Sequence, residues 1–257
     1  MKKLVSLLFV FLFSQYSFAQ ALGDFMILDG VPCFVFHVDE SGEHGMVMSF
    51  SANSAKQAKK VQKFMEKNLA KDSGLQSDGN AVTWDSNKLI IPEKSKEKLD
   101  KKAWKQIWAD LNSQLGDYGE QNAKIVKDYC AEKNISLNLF PHQYWASTLG
   151  EGWFIPGDEE LRLFAQFFCG GVGKEYGLGL FKWAKRGNEL TNNSLVASAI
   201  TGITAFSIYS SSVRTDTGIR GLVVNRPTGA FQKHKVYFHF YDSWKAPYNA
   251  LCAVKRF

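Results

Sequence analysis

Residues Leu149 to Leu161, LGEGWFIPGDEEL, set closely spaced glycines, a Trp and a Pro ahead of acidic residues that open an apolar-periodic run. A glycine loop before a helix N-terminus can cradle a phosphate, because free N–H groups and the helix dipole converge there. The spacing argues against that use: Trp153 to Pro156 sit where a dinucleotide loop needs a tight turn and close helix packing. GGVGK at Gly170 to Lys174 lacks the four-residue gap to an earlier Gly, and Glu175 follows it instead of Ser or Thr.

Metal and nucleophile chemistry are equally unsupported. The histidines His37, His44, His142, His234 and His239 form no HExxH helix, and His234 and His239 are an odd five residues apart in an expected strand. Asp24, Asp29 and Asp216 are isolated, whereas a calcium loop needs closely spaced oxygen ligands. Ser210-Ser211-Ser212 carries no GxSxG elbow and reads as a polar strand end. Glu159 and Glu160 fall in the first turn of a helix, where negative charge offsets the macrodipole. No catalytic residue, no metal site and no cofactor is therefore expected.

Cys33, Cys130, Cys169 and Cys252 are widely scattered, with no CxxC spacing that would suit zinc. In an exported chain they allow two disulfides in three pairings, and the spacing does not choose among them.

These residues must be positioned by elements the pattern makes visible. Strands are expected at Phe25 to Leu28, Cys33 to Val38 and Gly45 to Phe50, the last two joined by a turn at Asp39 to Glu43. Val61, Met65 and Leu69 predict an amphipathic helix over 55–71. VTWDSNKLII reads as a small hairpin closed by Pro92. Leu99, Ala103, Ile107 and Leu111 set out a second surface helix, widened by Trp104 and Trp108 into an aromatic stripe that reads as core. Further helices are expected from Glu120 through Cys130, from His142 to Gly150, from Asp158 to Cys169 and around 193–200. The last third is β: Phe206 to Ser210, Ile219 to Asn225, Phe231 to Tyr241 and Ala250 to Phe257, with a turn at Arg226 to Gly229. Strands, then helices, then strands make an α+β layout rather than a βαβ repeat.

The N-terminal MKKLVSLLFVFLFSQYSFA has two lysines, an apolar core from Leu4 to Phe13 and small residues before a cut after Ala19. That predicts a cleaved signal peptide and a periplasmic, cell-surface or extracellular protein. Its apolar core is too short to span a bilayer. Removing 19 of 257 residues leaves 238, which suits one domain over 20–257. The formal charge of +6 is modest. The lysine runs at 56–71 and 94–105 read as solvated helix faces, so no nucleic-acid partner is expected.

Six stretches then match one pattern in order: LGDFMILDGVPCFVFHVDESGEHGMVMSF, GEQNAKIV, FPHQYWASTLGEGWFIPGDEEL, NNSLVASAITGIT, IYSSSV and ALCAVKRF. Together they resemble exported bacterial proteins of the DUF1566 type, related to the Lcl C-terminal domain and common in gut Bacteroidetes. The resemblance implies a C-type lectin-like α+β fold, in which a W-x-x-P step leads into a helix and a Y-x-S-S strand follows. The segment at about 51–115 is longer than that family's connection and is expected to be a helical insertion. Members often carry cysteines at positions matching Ala146 and Ala253, so that disulfide is expected to be missing; Cys252 is one residue off, with Cys33 or Cys130 as its candidate partners. The calcium signature of sugar-binding lectins of this fold, Glu-Pro-Asn or Gln-Pro-Asp, does not occur.

The leading expectation is an exported, non-catalytic binding or adhesion module, with a glycan or a cell-surface protein as its partner. Candidate ligand-binding residues are Tyr209, Arg214, Asp216, Arg226, Tyr241 and Trp244, in and after the C-terminal β turns. Two other readings stand beside it: an oxidase-like enzyme related by fold to formylglycine-generating enzymes, which would need two thiols close together in a cleft, and a structural cell-surface component.

Overall fold

A computed structural model of the chain describes residues 22–23, 25–52, 54–56, 58–59, 85–92, 99–168, 175–176, 180–182, 205–212, 219–225, 235–241, 249–250 and 252–257. The expected helices over 55–71 and 193–200 lie wholly or largely outside these residues, as does the turn at 226–229.

The N-terminal strands are β1 (Phe25–Leu28), β2 (Val31–Val38) and β3 (Gly45–Phe50). Asp39 accepts hydrogen bonds from the Ser41 and Gly42 N–H groups and from the Ser41 hydroxyl, which sets the turn between β2 and β3. The helices are α1 (Lys101–Asn112), α2 (Gly119–Glu132), α3 (Pro141–Leu149) and α4 (Asp158–Phe168). Asp100 caps α1 by accepting from the Ala103 N–H. The C-terminal strands are β4 (Glu175–Tyr176), β5 (Leu180–Lys182), β6 (Ala205–Tyr209), β7 (Ile219–Asn225), β8 (Lys235–Tyr241), β9 (Asn249–Ala250) and β10 (Cys252–Arg256).

Two sheets result. One has the order β1-β2-β3-β10 and is antiparallel throughout. The other has the order β4-β5-β8-β7-β6-β9, with a single parallel pair between β6 and β9. The α+β class expected from the pattern is therefore what forms.

The four-stranded sheet is covered on both faces. On one face Val31, Cys33, Val35, Val47 and Ala253 meet Trp145, Leu149 and Trp153. On the other, Phe34 and Phe36 meet Phe164 of α4 edge-on, with Phe167 beside them. Double coverage explains why β2 is buried over six successive residues instead of at alternate positions. A separate helical core gathers Ile107, Leu111, Val126, Tyr129, Cys130 and Phe140.

VTWDSNKLII does not make a hairpin in its described part. Ser86–Leu89 is a 3-10 turn capped by Asp85, which accepts from the Asn87 N–H. That local bond holds the backbone in a turn where a ladder was expected. The chain then meets Ala52 through Ala52 N–H to Leu89 O at 2.6 Å and Ile91 N–H to Ala52 O at 3.2 Å. The excursion between residues 52 and 90 thus begins and ends at one place.

Candidate functional site

The W-x-x-P step and the serine triplet converge on the N-termini of α2 and α4. Trp153, Phe154 and Ile155 are buried, and Phe154 exchanges two backbone hydrogen bonds with Val254 of β10. Gly157 follows, and its N–H donates to Glu160 Oε2 at 2.8 Å, which is the return half of a capping box. The same oxygen accepts the Gly119 N–H of α2 at 2.9 Å. One buried side chain therefore closes two helix ends, and Arg256 Nη2 approaches its other oxygen at 3.5 Å. A Cβ on Gly119 would collide with Ile155 O, and one on Gly157 with Asp117 O, so both positions require glycine.

Ser210, Ser211 and Ser212 belong to this junction. Ser210 donates to Asp158 Oδ1 at 2.8 Å, Ser212 donates to Gly116 O at 2.7 Å, and the Asp158 N–H donates to Ser212 Oγ at 3.0 Å. The Ser211 N–H donates to Pro156 O at 2.7 Å, and Ser211 Oγ accepts from Asn122 Nδ2 at 3.1 Å. Asn122, wholly buried, also binds the N–H and the carbonyl of Gly116. The triplet is a polar weld between the end of β6 and two helices, more than the simple strand end its sequence implied. With the Asp158 and Glu159 N–H groups taken by Ser212 Oγ and Asp117 O, the start of α4 offers no anion site.

An open-sided cleft of about 60 Å³ lies beside this weld. Its apolar lining is Trp108, Leu115, Val126, Phe140 and Ile155. Pro141, His142 and Gln143, the first turn of α3, and Ser210 and Ser211 supply the rest. Trp108 stacks on Trp104, and both meet Phe140 edge-on at 5.8 Å. Among the described residues no Lys, Arg, Asp or Glu lines the cleft; the hydrogen-bonding side chains they supply are two hydroxyls, an amide and the His142 imidazole. The volume admits a few waters or one small chemical group, well below the several hundred Å³ of a drug-sized pocket.

The residues expected from the sequence are placed only in part. Tyr209 ends β6 opposite Gly221, and Tyr241 ends β8 opposite Ile219, so both stand at one end of the six-stranded sheet. Arg214, Asp216, Arg226 and Trp244 lie outside the described residues, as does Cys169. The cleft residues were missed because Trp108 reads as helix core and Ser210 to Ser212 as a strand end. Their one sequence signal is a run of three hydroxyls directly after an apolar strand.

The disulfides weighed for Cys252 do not form. Cys33, Cys130 and Cys252 are buried free thiols. Cys33 pairs with Ser49, which pairs with Ala253, so Cys33 shares a face with Ala253 while Cys252 takes the opposite face. β10 also pairs with β3, not with β1. Burial pushes the Cys33 and Cys252 thiols well above their usual range.

Asp29 is the other charged focus. It accepts the Trp153 indole N–H at 2.9 Å and Lys255 Nζ at 2.6 Å, while Lys88 Nζ donates to its carbonyl. The Lys255 hydrogen bond, aided by Trp153, holds its carboxyl below the usual range against some desolvation. Among the described residues no group of three His, Cys, Asp or Glu side chains gathers as a metal site would require. Among them, too, no helix is long and apolar enough to cross a membrane.

No family model, curated protein or solved structure matches this chain.

Proposed function

We propose that this chain is an exported, non-catalytic binding module with a C-type lectin-like core, and that it meets its ligand at the cleft beside Trp108 and Ser211. The observation that carries the reading is the make-up of that cleft: aromatic and aliphatic surface on one side, hydroxyl and amide groups on the other. Such a lining holds and orients a ligand through burial and hydrogen bonds. The placing of Ala146 and Ala253 in a single core cluster supports the family resemblance, since these match the positions where that family carries cysteines.

The oxidase-like alternative needs two thiols close together at a cleft, and neither Cys33, Cys130 nor Cys252 lines this one. Among the described residues no carboxylate lines it either, and the account takes binding to be calcium-independent. The test is a glycan and peptidoglycan-fragment array probed with the secreted protein, with and without calcium. The account expects a signal that survives chelation. A signal that appears only with calcium, or none on either set, counts against it.

A further inference from the structure

We infer that the group received by the cleft is the acetamido substituent of an N-acetylated sugar. The inference rests on the reading of the cleft as the binding site. Three properties of the lining carry it.

The first is charge. Among the described lining residues there is no Asp or Glu to offset an ammonium group and no Lys or Arg to pair with a carboxylate or phosphate, so a charged group entering the cleft would lose water without an ion-pair partner from them. The described lining therefore favours a neutral inserted group, although the chain as a whole carries +6.

The second is hydrogen-bond capacity. Ser211 Oγ accepts from Asn122 and keeps its own proton to donate. No described residue engages the Gln143 side chain, whose carbonyl accepts and whose NH₂ donates. One donor and one donor-acceptor in the same cleft complement an amide, whose carbonyl takes the Ser211 proton and whose N–H is taken by Gln143. Trp108, Val126 and Phe140 supply the apolar bed for a methyl group.

The third is size. About 60 Å³ admits a pendant group entering end-on. A peptide amide is flanked by Cα atoms on both sides and needs a groove that runs through, so the pendant acetamido group of a sugar suits the cleft better than a main-chain segment does.

The experiment is an NMR titration of the isotopically labelled protein. The ligands are the methyl glycosides of N-acetylglucosamine, glucosamine, glucose and glucuronic acid, plus N-acetylalanine methylamide as the peptide arm. The N-acetylglucosaminide is expected to bind most tightly and to shift resonances of Trp108, Gln143 and Ser211. Ser211→Ala and Gln143→Ala are each expected to weaken it about three- to tenfold, the worth of one hydrogen bond. Gln143→Ala removes no hydrogen bond to a described residue, and Ser211→Ala, which loses the Asn122 bond and with it some stability, leaves Asn122 its two bonds to Gly116; the thermal midpoint of each variant is measured alongside. Equal or tighter binding of the glucoside, the glucuronide or the peptide amide at the same residues overturns the acetamido inference and leaves the binding reading standing. No binding by any ligand, or binding indifferent to both substitutions, overturns both.

Discussion

Trp153 donates its indole N–H to Asp29 Oδ2 at 2.9 Å, joining the turn between β1 and β2 to the W-x-x-P step 124 residues later. Lys255 of the last strand binds the same oxygen at 2.6 Å. Three distant segments thus meet at one carboxylate. Asp29 itself sits at φ +56°, a left-handed conformation that Asp and Asn tolerate better than other side-chain-bearing residues.

This predicts an order among substitutions at residue 29. Asp29→Asn keeps a carbonyl acceptor for Trp153 and the tolerance of positive φ, and loses the ion pair, at a cost of about 0.5–1 kcal/mol. Asp29→Ala loses both hydrogen bonds and adds backbone strain of about 1–2 kcal/mol. Urea unfolding of the two variants checks the order; equal losses would contradict the clamp.

The helix ends at Gly119 and Gly157 should be among the least forgiving glycine positions in the described chain. Each backbone passes against the other loop with no room for a Cβ. Gly157→Ala or Gly119→Ala is expected to cost about 3 kcal/mol or more, at the upper end of overpacking effects. Glu160→Ala leaves two buried N–H groups without a partner and is expected to cost about 2–4 kcal/mol. Thermal midpoints report both.

Much of this was legible in the sequence. Strand and helix bounds from Phe25 to Phe50 and from Leu99 to Phe168 follow the apolar periods, because those segments bury one stripe or both faces against a core. The start of α4 at Asp158, with Glu159 and Glu160 in its first turn, was visible as a local signature. What could not be read is what long-range packing decides. That Glu160 also closes α2, that Ser210 to Ser212 weld β6 to two helices, and that Trp108 borders a cleft each depend on partners between 41 and about 100 residues away. The turn at Ser86–Leu89, where a hairpin was expected, has a local cause in the Asp85 cap.

The thiols give a chemical test of the sheet register. Cys33 and Cys252 are buried on opposite faces with their ionisation suppressed, so iodoacetamide is expected to leave both unmodified in the native protein and to label both in denaturant. Peptide mass spectrometry reads the sites. A peptide pair linked through Cys33 and Cys252 would contradict the strand pairing.

Acid should loosen the protein in two stages. Burial, and then the Arg256 charge, hold the His37 pKa below its ordinary value. The unfolded chain therefore binds that proton more readily, and the stability from neutral His37, complete above about pH 6.5, is lost as pH falls towards and through the lower folded value. Asp29, with a folded pKa below 3.8, contributes stability that is present above that value and lost as pH falls through the folded one. Stability against pH, measured by urea unfolding, should lose its first descent in His37→Gln and its second in Asp29→Asn. An unchanged profile in both variants would contradict these assignments.

The central claim is that the cleft beside Trp108 is a binding site. Its most direct test is a calorimetric isotherm of the array's strongest ligand on the wild-type protein and on Gln143→Ala, a change that touches the cleft and no described partner. The account predicts weaker binding, about three- to tenfold, with an unchanged thermal midpoint. Identical isotherms for the two proteins would place the ligand elsewhere and contradict it.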